Sequence, residues 1–255
     1  MYEHEMAFAH GMADRAAEIG LGLYLGEGLQ IRRKADLSLV TRADTEIERM
    51  VREQLAVAFP DDRILGEEEG GSLDLTGRVW ILDPIDATAN FARGVPIWGT
   101  LLALYVDGEG VLGVANAPAL AERYAAVRGE GATMNDRPIR VSEIATIDDA
   151  HVLYAELDDI LDGPYREPVL TVVKEAWRDR GFGDFWSHML IARGAAEVMF
   201  EPELATWDWA APRVILEEAG GRMTTFDGEP VGHETSVVTS NGVLHDEVLR
   251  RLATR

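Results

Sequence analysis

Trp80-Ile81-Leu82-Asp83-Pro84-Ile85-Asp86-Ala87-Thr88-Ala89-Asn90-Phe91 joins an apolar run to two closely spaced carboxylates and a hydroxyl. Val79 to Leu82 read as a buried strand. Pro84 has no amide to give a ladder and biases Asp83 away from helix, so the strand is expected to stop there. Both Asp side chains then stand at a strand end, where a stiff turn lets them converge and the carbonyl between them adds a further hard oxygen. Such donors suit Mg²⁺ or Mn²⁺. Thr88 sets a hydroxyl beside the ion, and the amides of Ala87 and Thr88 face a phosphate if the turn opens a helix. An acidic turn without metal is the simpler alternative, because Asp and Pro are common turn formers.

The chain has 255 residues, 47% hydrophobic and 27% charged, which suits one large or two modest soluble domains. With no cysteine, disulfides, thiolate metal sites and Cys nucleophiles are excluded, and a cytoplasmic location fits. The start Met1-Tyr2-Glu3-His4-Glu5 lacks the basic and apolar runs of a signal peptide, and no segment approaches the roughly 20 apolar residues of a membrane span. No membrane partner is therefore expected. A formal charge of -21 repels polyanions and argues against nucleic-acid binding. A small phosphorylated metabolite stays compatible if metal ions and helix N-termini meet its charge locally. Glu46, Glu48, Glu175 and Glu217 fall in helix-like segments and are expected on solvated outer faces.

Residues 5–26 and 44–58 read as helices ahead of the first strand, the second starting at Asp44 or Thr45. Strands at 98–106 and 110–115 flank Asp107-Gly108-Glu109-Gly110, a hairpin signal, and short strands continue over 122–141. Beyond about 145 the pattern alternates: strand 151–155, helices 166–178 and 185–194, strand 197–200, helix 208–219, strands 222–225 and 236–239, helix 242–254. The expectation is an α+β half over 1–145 carrying metal-binding motifs, and an α/β half over 146–255 carrying substrate-recognition residues and Asp208.

Three further acidic motifs stand beside the Asp-Pro-Ile-Asp stretch. Leu65-Gly66-Glu67-Glu68-Glu69-Gly70 lets Glu67 or Glu68 reach the same metal, or is a solvated loop. Thr206-Trp207-Asp208-Trp209 puts one carboxylate between two bulky aromatics, either to complement a helix dipole or, with its direction fixed by packing, to bind an ion. Leu39-Val40-Thr41-Arg42-Ala43-Asp44 offers a hydroxyl and a carboxylate at a helix start, where capping is the cheaper reading.

In this order and spacing the four motifs resemble the inositol monophosphatase family of metal-dependent, lithium-sensitive phosphatases, over roughly residues 30–225. Gly183-Asp184-Phe185-Trp186 and Glu201-Pro202-Glu203 ahead of Trp207-Asp208 are more similar to its histidinol-phosphate phosphatase branch. The resemblance implies a layered αβαβα sandwich with a cleft between the halves, a homodimer, and two or three Mg²⁺ ions per site, with Mn²⁺ an alternative. Carried over, it makes Glu67, Asp83 and the Ile85 carbonyl ligands of one ion and Asp83, Asp86 and Asp208 ligands of a second. Glu67 and Thr88 would position and help deprotonate a metal-bound water, Asp44 would bond Thr88, and Glu68 would assist from the outer shell. Ala87, Thr88 and Asp208 would meet the substrate, with Asp184 and Glu201 lining the alcohol side. A carboxylate at 184 suits a leaving group that carries an amine or imidazolium, as in L-histidinol phosphate.

Two departures stand out. The family usually has glycine where this chain has Ala87, and often a long polar residue where it has Ala89. Alanine at 87 is tolerable at negative φ and strained at positive φ. Inositol 1-phosphate, another sugar or nucleotide ester, and an inactive metal-binding paralogue are the competing functions. Aspartyl-phosphate phosphatases need carboxylates two apart, whereas Asp83 and Asp86 are three apart. A paired-carboxylate glycosidase has no need of Thr88 or of the Trp207-Asp208 helix start.

Overall fold

The apolar run around Trp80 is buried on both faces in a computed structural model that describes residues 1–26, 29–34 and 39–254. Val79 and Ile81 point to one side and Trp80 and Leu82 to the other, each pair into a separate core, which is why the strand reads as continuous rather than alternating.

Helix α1 (Glu3–Leu23) and helix α2 (Arg42–Ala58) do not both precede the first strand. A ribbon of β1 (Arg32–Arg33) and β2 (Leu39–Val40) lies between them, its strands too short to leave a periodic signal. Next come β3 (Arg63–Gly66), β4 (Arg78–Asp86), the short α3 (Thr88–Arg93), β5 (Gly99–Val106), β6 (Glu109–Ala117), β7 (Glu122–Val127), β8 (Gly131–Met134) and β9 (Arg137–Ile139). The seven strands lie side by side in chain order, β3 and β4 parallel and the rest antiparallel. Asp107 and Gly108 both have positive φ, the backbone that a tight two-residue hairpin needs.

The second sheet has the order β11-β10-β12-β14-β13, built from β10 (His151–Tyr154), β11 (Arg178–Arg180), β12 (Val198–Leu204), β13 (Arg222–Thr224) and β14 (Thr235–Ser240). Helices α4 (Leu157–Asp162), α5 (Arg166–Glu175), α6 (Asp184–Ala192), α7 (Thr206–Glu218) and α8 (His245–Leu252) connect or follow these strands. The helix expected to run to 178 ends at Glu175, and the next residues become β11, parallel to β10. Neither α4 nor β11 was legible in the pattern.

Three cores fix the layers. Ala9, Ala13 and Ala16 of α1 and Ile47 and Val51 of α2 pack on Trp80, Leu82 and Leu104. Helices α6 and α7 fill the space between the sheets, with Met189, Ile191, Trp209 and Ile215 against Ile81, Ala103, Met199 and Val237. On the outer face of the second sheet, Val169, Val172, Val248 and Leu252 meet Val152, Val198 and Phe200. The architecture is thus the expected αβαβα sandwich. Among the described residues no helix is long and apolar enough to cross a membrane.

The middle layer is tight where α7 crosses β6. A Cβ on Gly113 would come within 2.7 Å of the Ala211 carbonyl. Gly11, inside α1, has open space around its Cβ position. Gly113→Ala should therefore destabilise by about 1–3 kcal/mol through overpacking, whereas Gly11→Ala should stabilise by about 0.5–1 kcal/mol. Urea unfolding of both variants checks the contrast.

Candidate active site

Asp83 and Asp86 are three apart, and in a regular strand an odd separation sends two side chains to opposite faces. The strand does not stop at Pro84 as expected; β4 continues to Asp86 through a bulge. Asp83 pairs with Leu101 and Asp86 with Gly99, so three steps on β4 match two on β5. The extra residue restores the parity and turns both carboxylates to one side. Proline is tolerated because a bulge interrupts the ladder where its missing amide would be needed, while its carbonyl accepts from Thr100 Oγ1 at 2.8 Å.

The same device recurs in β12. Glu201 pairs with Val237 and Leu204 with Thr235, again three steps against two, with Pro202 in the gap. Glu201 is thereby set in the cleft wall although it is only 4% exposed.

Helix α7 brings the third Asp. Asp208 caps its first turn, accepting from the Ala205 amide at 2.9 Å, so capping and site membership coexist in one side chain. The flanking aromatics anchor that turn: Trp209 Nε1 donates to the Gly232 carbonyl at 2.8 Å, and Trp207 packs edge-on against His233. Oxygens of Asp83, Asp86 and Asp208 all lie within 4.8 Å of one another.

Helix α2 supplies a second cluster. It begins two residues earlier than expected, at Arg42, with Thr41 as its N-cap and Asp44 closing the cap from the first turn. One Asp44 oxygen accepts from both the Thr41 amide and its hydroxyl. The other is 3.2 Å from Thr88 Oγ1, which also lies 2.9 Å from the Ile85 carbonyl. Asp44, Glu67 and Glu68 bring carboxylate oxygens within 4.8 Å of one another.

Two residues that hold this cluster escaped the sequence reading. Glu48 is fully buried, not on a solvated face. It accepts from the amides of Glu68 at 2.8 Å and Glu69 at 3.0 Å and pairs with Arg52 at 2.7 Å, pinning the acidic loop to α2. Gly66 permits that approach, since a Cβ there would collide with the Glu48 carboxylate. The signal was present: Glu48 follows Asp44 by one turn and adjoins the buried stripe of Ile47, Val51 and Leu55. The second is Lys34, whose ammonium lies 2.7 Å from Glu67 and 2.6 Å from Glu68.

A cleft of about 200 Å³ unites Glu67, Asp83, Ile85, Asp86, Ala87, Thr88, Asp184, Glu201 and Asp208. Asp44 meets the cleft through Thr88, and Glu68 is tied to its lining residue Glu67 through Lys34. Ala87 has φ 64 and ψ 46, the left-handed conformation that glycine adopts freely, at a cost of roughly 1–2 kcal/mol for alanine. The negative φ that would have suited alanine is not what the turn requires. Across the cleft, the Phe185 amide at the start of α6 donates to Asp86 Oδ1 at 3.3 Å.

Electrostatics set the site apart. Burial, then the charges of Glu67, Asp86 and Asp208, push Asp83 well above the usual carboxylate range. Burial and Asp184 do the same to Asp86, and burial with Glu67 lifts Asp208 to about 7. Burial raises Asp44 to about 6 despite its bonds to Thr41. Burial also raises Glu67, and bonding to Lys34 only partly offsets it. Burial disfavours the Lys34 ammonium, but its bonds to Glu67 and Glu68 outweigh that and raise its pKa.

Asp83 Oδ1 is buried with no hydrogen-bond partner among the described residues, which fits an oxygen kept for a cation. Because these carboxyls hold protons in the folded state that the unfolded chain has already released, stability without metal should fall as pH rises through their raised pKa values. The buried imidazoles of His188 and His245, lowered to about 4 by burial, contribute fully above about 6.5 and do not reverse the trend. In EDTA the melting temperature should drop from about pH 6.5 to about pH 8, and millimolar Mg²⁺ should raise it more at the higher pH. Thermal melts across that range, with and without Mg²⁺, check both.

Comparison with known proteins gives the family. The model of the inositol monophosphatase family matches residues 1–255. A histidinol-phosphatase of Mycobacterium tuberculosis is 43% identical over 99% of each chain, and one of Streptomyces coelicolor is 38% identical over 100% of this chain and 98% of its own. Among solved structures, the extragenic suppressor protein suhB of Bartonella henselae superposes with a TM-score of 0.91 at 28% identity over 99% of each chain. The protein belongs to the inositol monophosphatase family.

Proposed function

We propose that the protein is a Mg²⁺-dependent phosphomonoesterase that hydrolyses L-histidinol phosphate to L-histidinol and inorganic phosphate. The observation that carries the reading is one cleft with two differently charged tasks. Asp83, Asp86 and Asp208 form its ion-binding end, and Asp184 and Glu201 add carboxylates that a neutral alcohol would not require. The two relatives named histidinol-phosphatase, aligned along nearly the whole chain, support it.

The donor set fits hard divalent ions, being all carboxylate and carbonyl oxygen. Glu67, Asp83 and the Ile85 carbonyl would hold one Mg²⁺ and Asp83, Asp86 and Asp208 another, with room in the reading for a third ion or for Mn²⁺. When bound, the ions neutralise charge on the phosphoryl oxygens and make a water acidic enough to be a nucleophile.

The protein's own groups orient and deprotonate that water. The Thr88 hydroxyl has one proton and two acceptors, Asp44 and the Ile85 carbonyl, so its lone pairs are left to accept from water in the cleft. Asp44, lifted to about 6, is a base matched to neutral pH, and a proton passed from water to Thr88 Oγ1 can be relayed to Asp44 Oδ1. Glu67 lines the cleft and accepts from Lys34, which fixes one of its oxygens. Glu68 shares Lys34 and acts through it. The amides of Ala87 and Thr88 and the carboxylate of Asp208 meet the phosphate end, while Asp184 and Glu201 face the departing alcohol. A homodimer in the cytoplasm completes the reading.

Phosphate release from L-histidinol phosphate, inositol 1-phosphate and a nucleoside monophosphate, on one preparation with Mg²⁺, tests the substrate. Preference for histidinol phosphate is expected; preference for another ester would keep the ion site and discard the substrate. Asp83→Asn and Asp208→Asn should each lose turnover by at least about a hundredfold with the fold intact, since a neutral amide cannot replace a charged ligand. Steady-state kinetics paired with circular dichroism check this, and near-normal turnover in either variant would contradict the two-ion assignment.

A further inference from the structure

A cavity of about 260 Å³ adjoins the cleft and shares Glu156 and Asp184 with it. Its position follows from the second sheet. Strands β11, β10 and β12 are adjacent and parallel, and each delivers one carboxylate at its carboxyl end. Asp184 follows β11, Glu156 follows β10, and Glu201 sits in the bulge of β12. The carboxyl ends of parallel strands are where open α/β sheets place ligands.

No ion pair among the described residues answers the three acids. Among the described residues, neither cavity is lined by Lys or Arg. Glu201 Oε2 is buried without a hydrogen-bond partner among the described residues. Burial and then the charge of Asp184 raise Glu201 well above the carboxylate range, with Glu156 adding to the repulsion, and burial followed by Glu156 lifts Asp184 to about 6. The far wall is aromatic. Tyr154 Oη donates to Asp179 at 3.3 Å, and a Cβ on Gly181 would press within 2.9 Å of the Tyr154 ring. Phe182 stands edge-on to Trp186 at 5.3 Å.

We infer that Glu156 is a specificity residue for a cationic alcohol half: a primary ammonium sits among Glu156, Asp184 and Glu201, and a flat ring attached to it lies toward Tyr154 and Phe182. The assignment rests on the phosphomonoesterase reading above and names the groups that distinguish a charged leaving alcohol from a polyol. Carboxylates attract the ammonium, and aromatic faces tolerate both a cation and an imidazole. Glu156 is exposed, so its share is that of a rim charge: modest in size and sensitive to salt.

The test uses the Mg²⁺-loaded enzyme with three esters: histidinol phosphate, ethanolamine phosphate and glycerol phosphate. In Glu156→Gln the ratio of kcat/KM for a cationic ester to that for glycerol phosphate should fall about 5-fold, Glu156→Lys should lower it further, and Glu156→Asp should restore part of it. Added salt should lower the same ratio in the wild type more than in Glu156→Gln. An unchanged ratio in both the Gln and Lys variants overturns the role of Glu156. Wild-type enzyme that rejects histidinol phosphate would overturn the proposed substrate instead, and ethanolamine against glycerol phosphate would still decide whether Glu156 selects charge.

Discussion

Mutual repulsion among buried carboxylates is the constraint around which this molecule is arranged. Asp83 is 2% exposed and Asp86 is 6% exposed, and their oxygens lie within 4.8 Å of each other and of Asp208. Burying one unpaired charge costs several kcal/mol, and gathering three multiplies the penalty. Among the described residues no ion pair answers these three acids and only the amides of Phe185 and Ala205 donate to them, so the fold holds a destabilised arrangement that protons or hard cations relieve. The site is built into the sandwich where sheets stand on both sides with two helices between them.

Geometry at this site comes from irregularity in regular elements. A bulge at Asp83-Pro84 and another at Glu201-Pro202 re-aim carboxylates that an unbroken strand would send to opposite faces or into the core. Both occur where proline follows the acid, so one local rule serves both walls of the cleft. Capping adds two more carboxylates: Asp44 and Asp208 each complete the first turn of a helix while presenting an oxygen to the site.

Much of this was legible in the sequence because the ligands cluster in short motifs whose spacing survives folding. The Asp83 to Thr88 stretch, the glycine-bounded Glu67-Glu68 loop and the Trp207-Asp208 helix start come together around one cleft, and the alternation of strands and helices past residue 145 was legible in the pattern, whereas the layered sandwich was implied by the resemblance. What was missed depends on tertiary contact. A lone Glu48 in a helix reads as solvated until the loop that it holds is folded against it, and Lys34 is ordinary until two carboxylates close around it. Pro84 was read as a stop because proline ordinarily ends a ladder; a bulge makes it permissible. Glu156 leaves no motif at all, being a single acid whose meaning comes from the ends of two neighbouring strands.

The 3.3 Å bond from the Phe185 amide to Asp86 joins the start of α6 to the end of β4. The first turn of α6 therefore borders the cavity proposed for the alcohol and, at the same time, orients an oxygen proposed to hold the ion. Divergence within such a scaffold is not free to alter one property alone. On the proposed assignment, substitutions around residues 183–185 that admit a new alcohol also disturb the Asp86 carboxylate, so lineages that change substrate should change their ionic requirement with it.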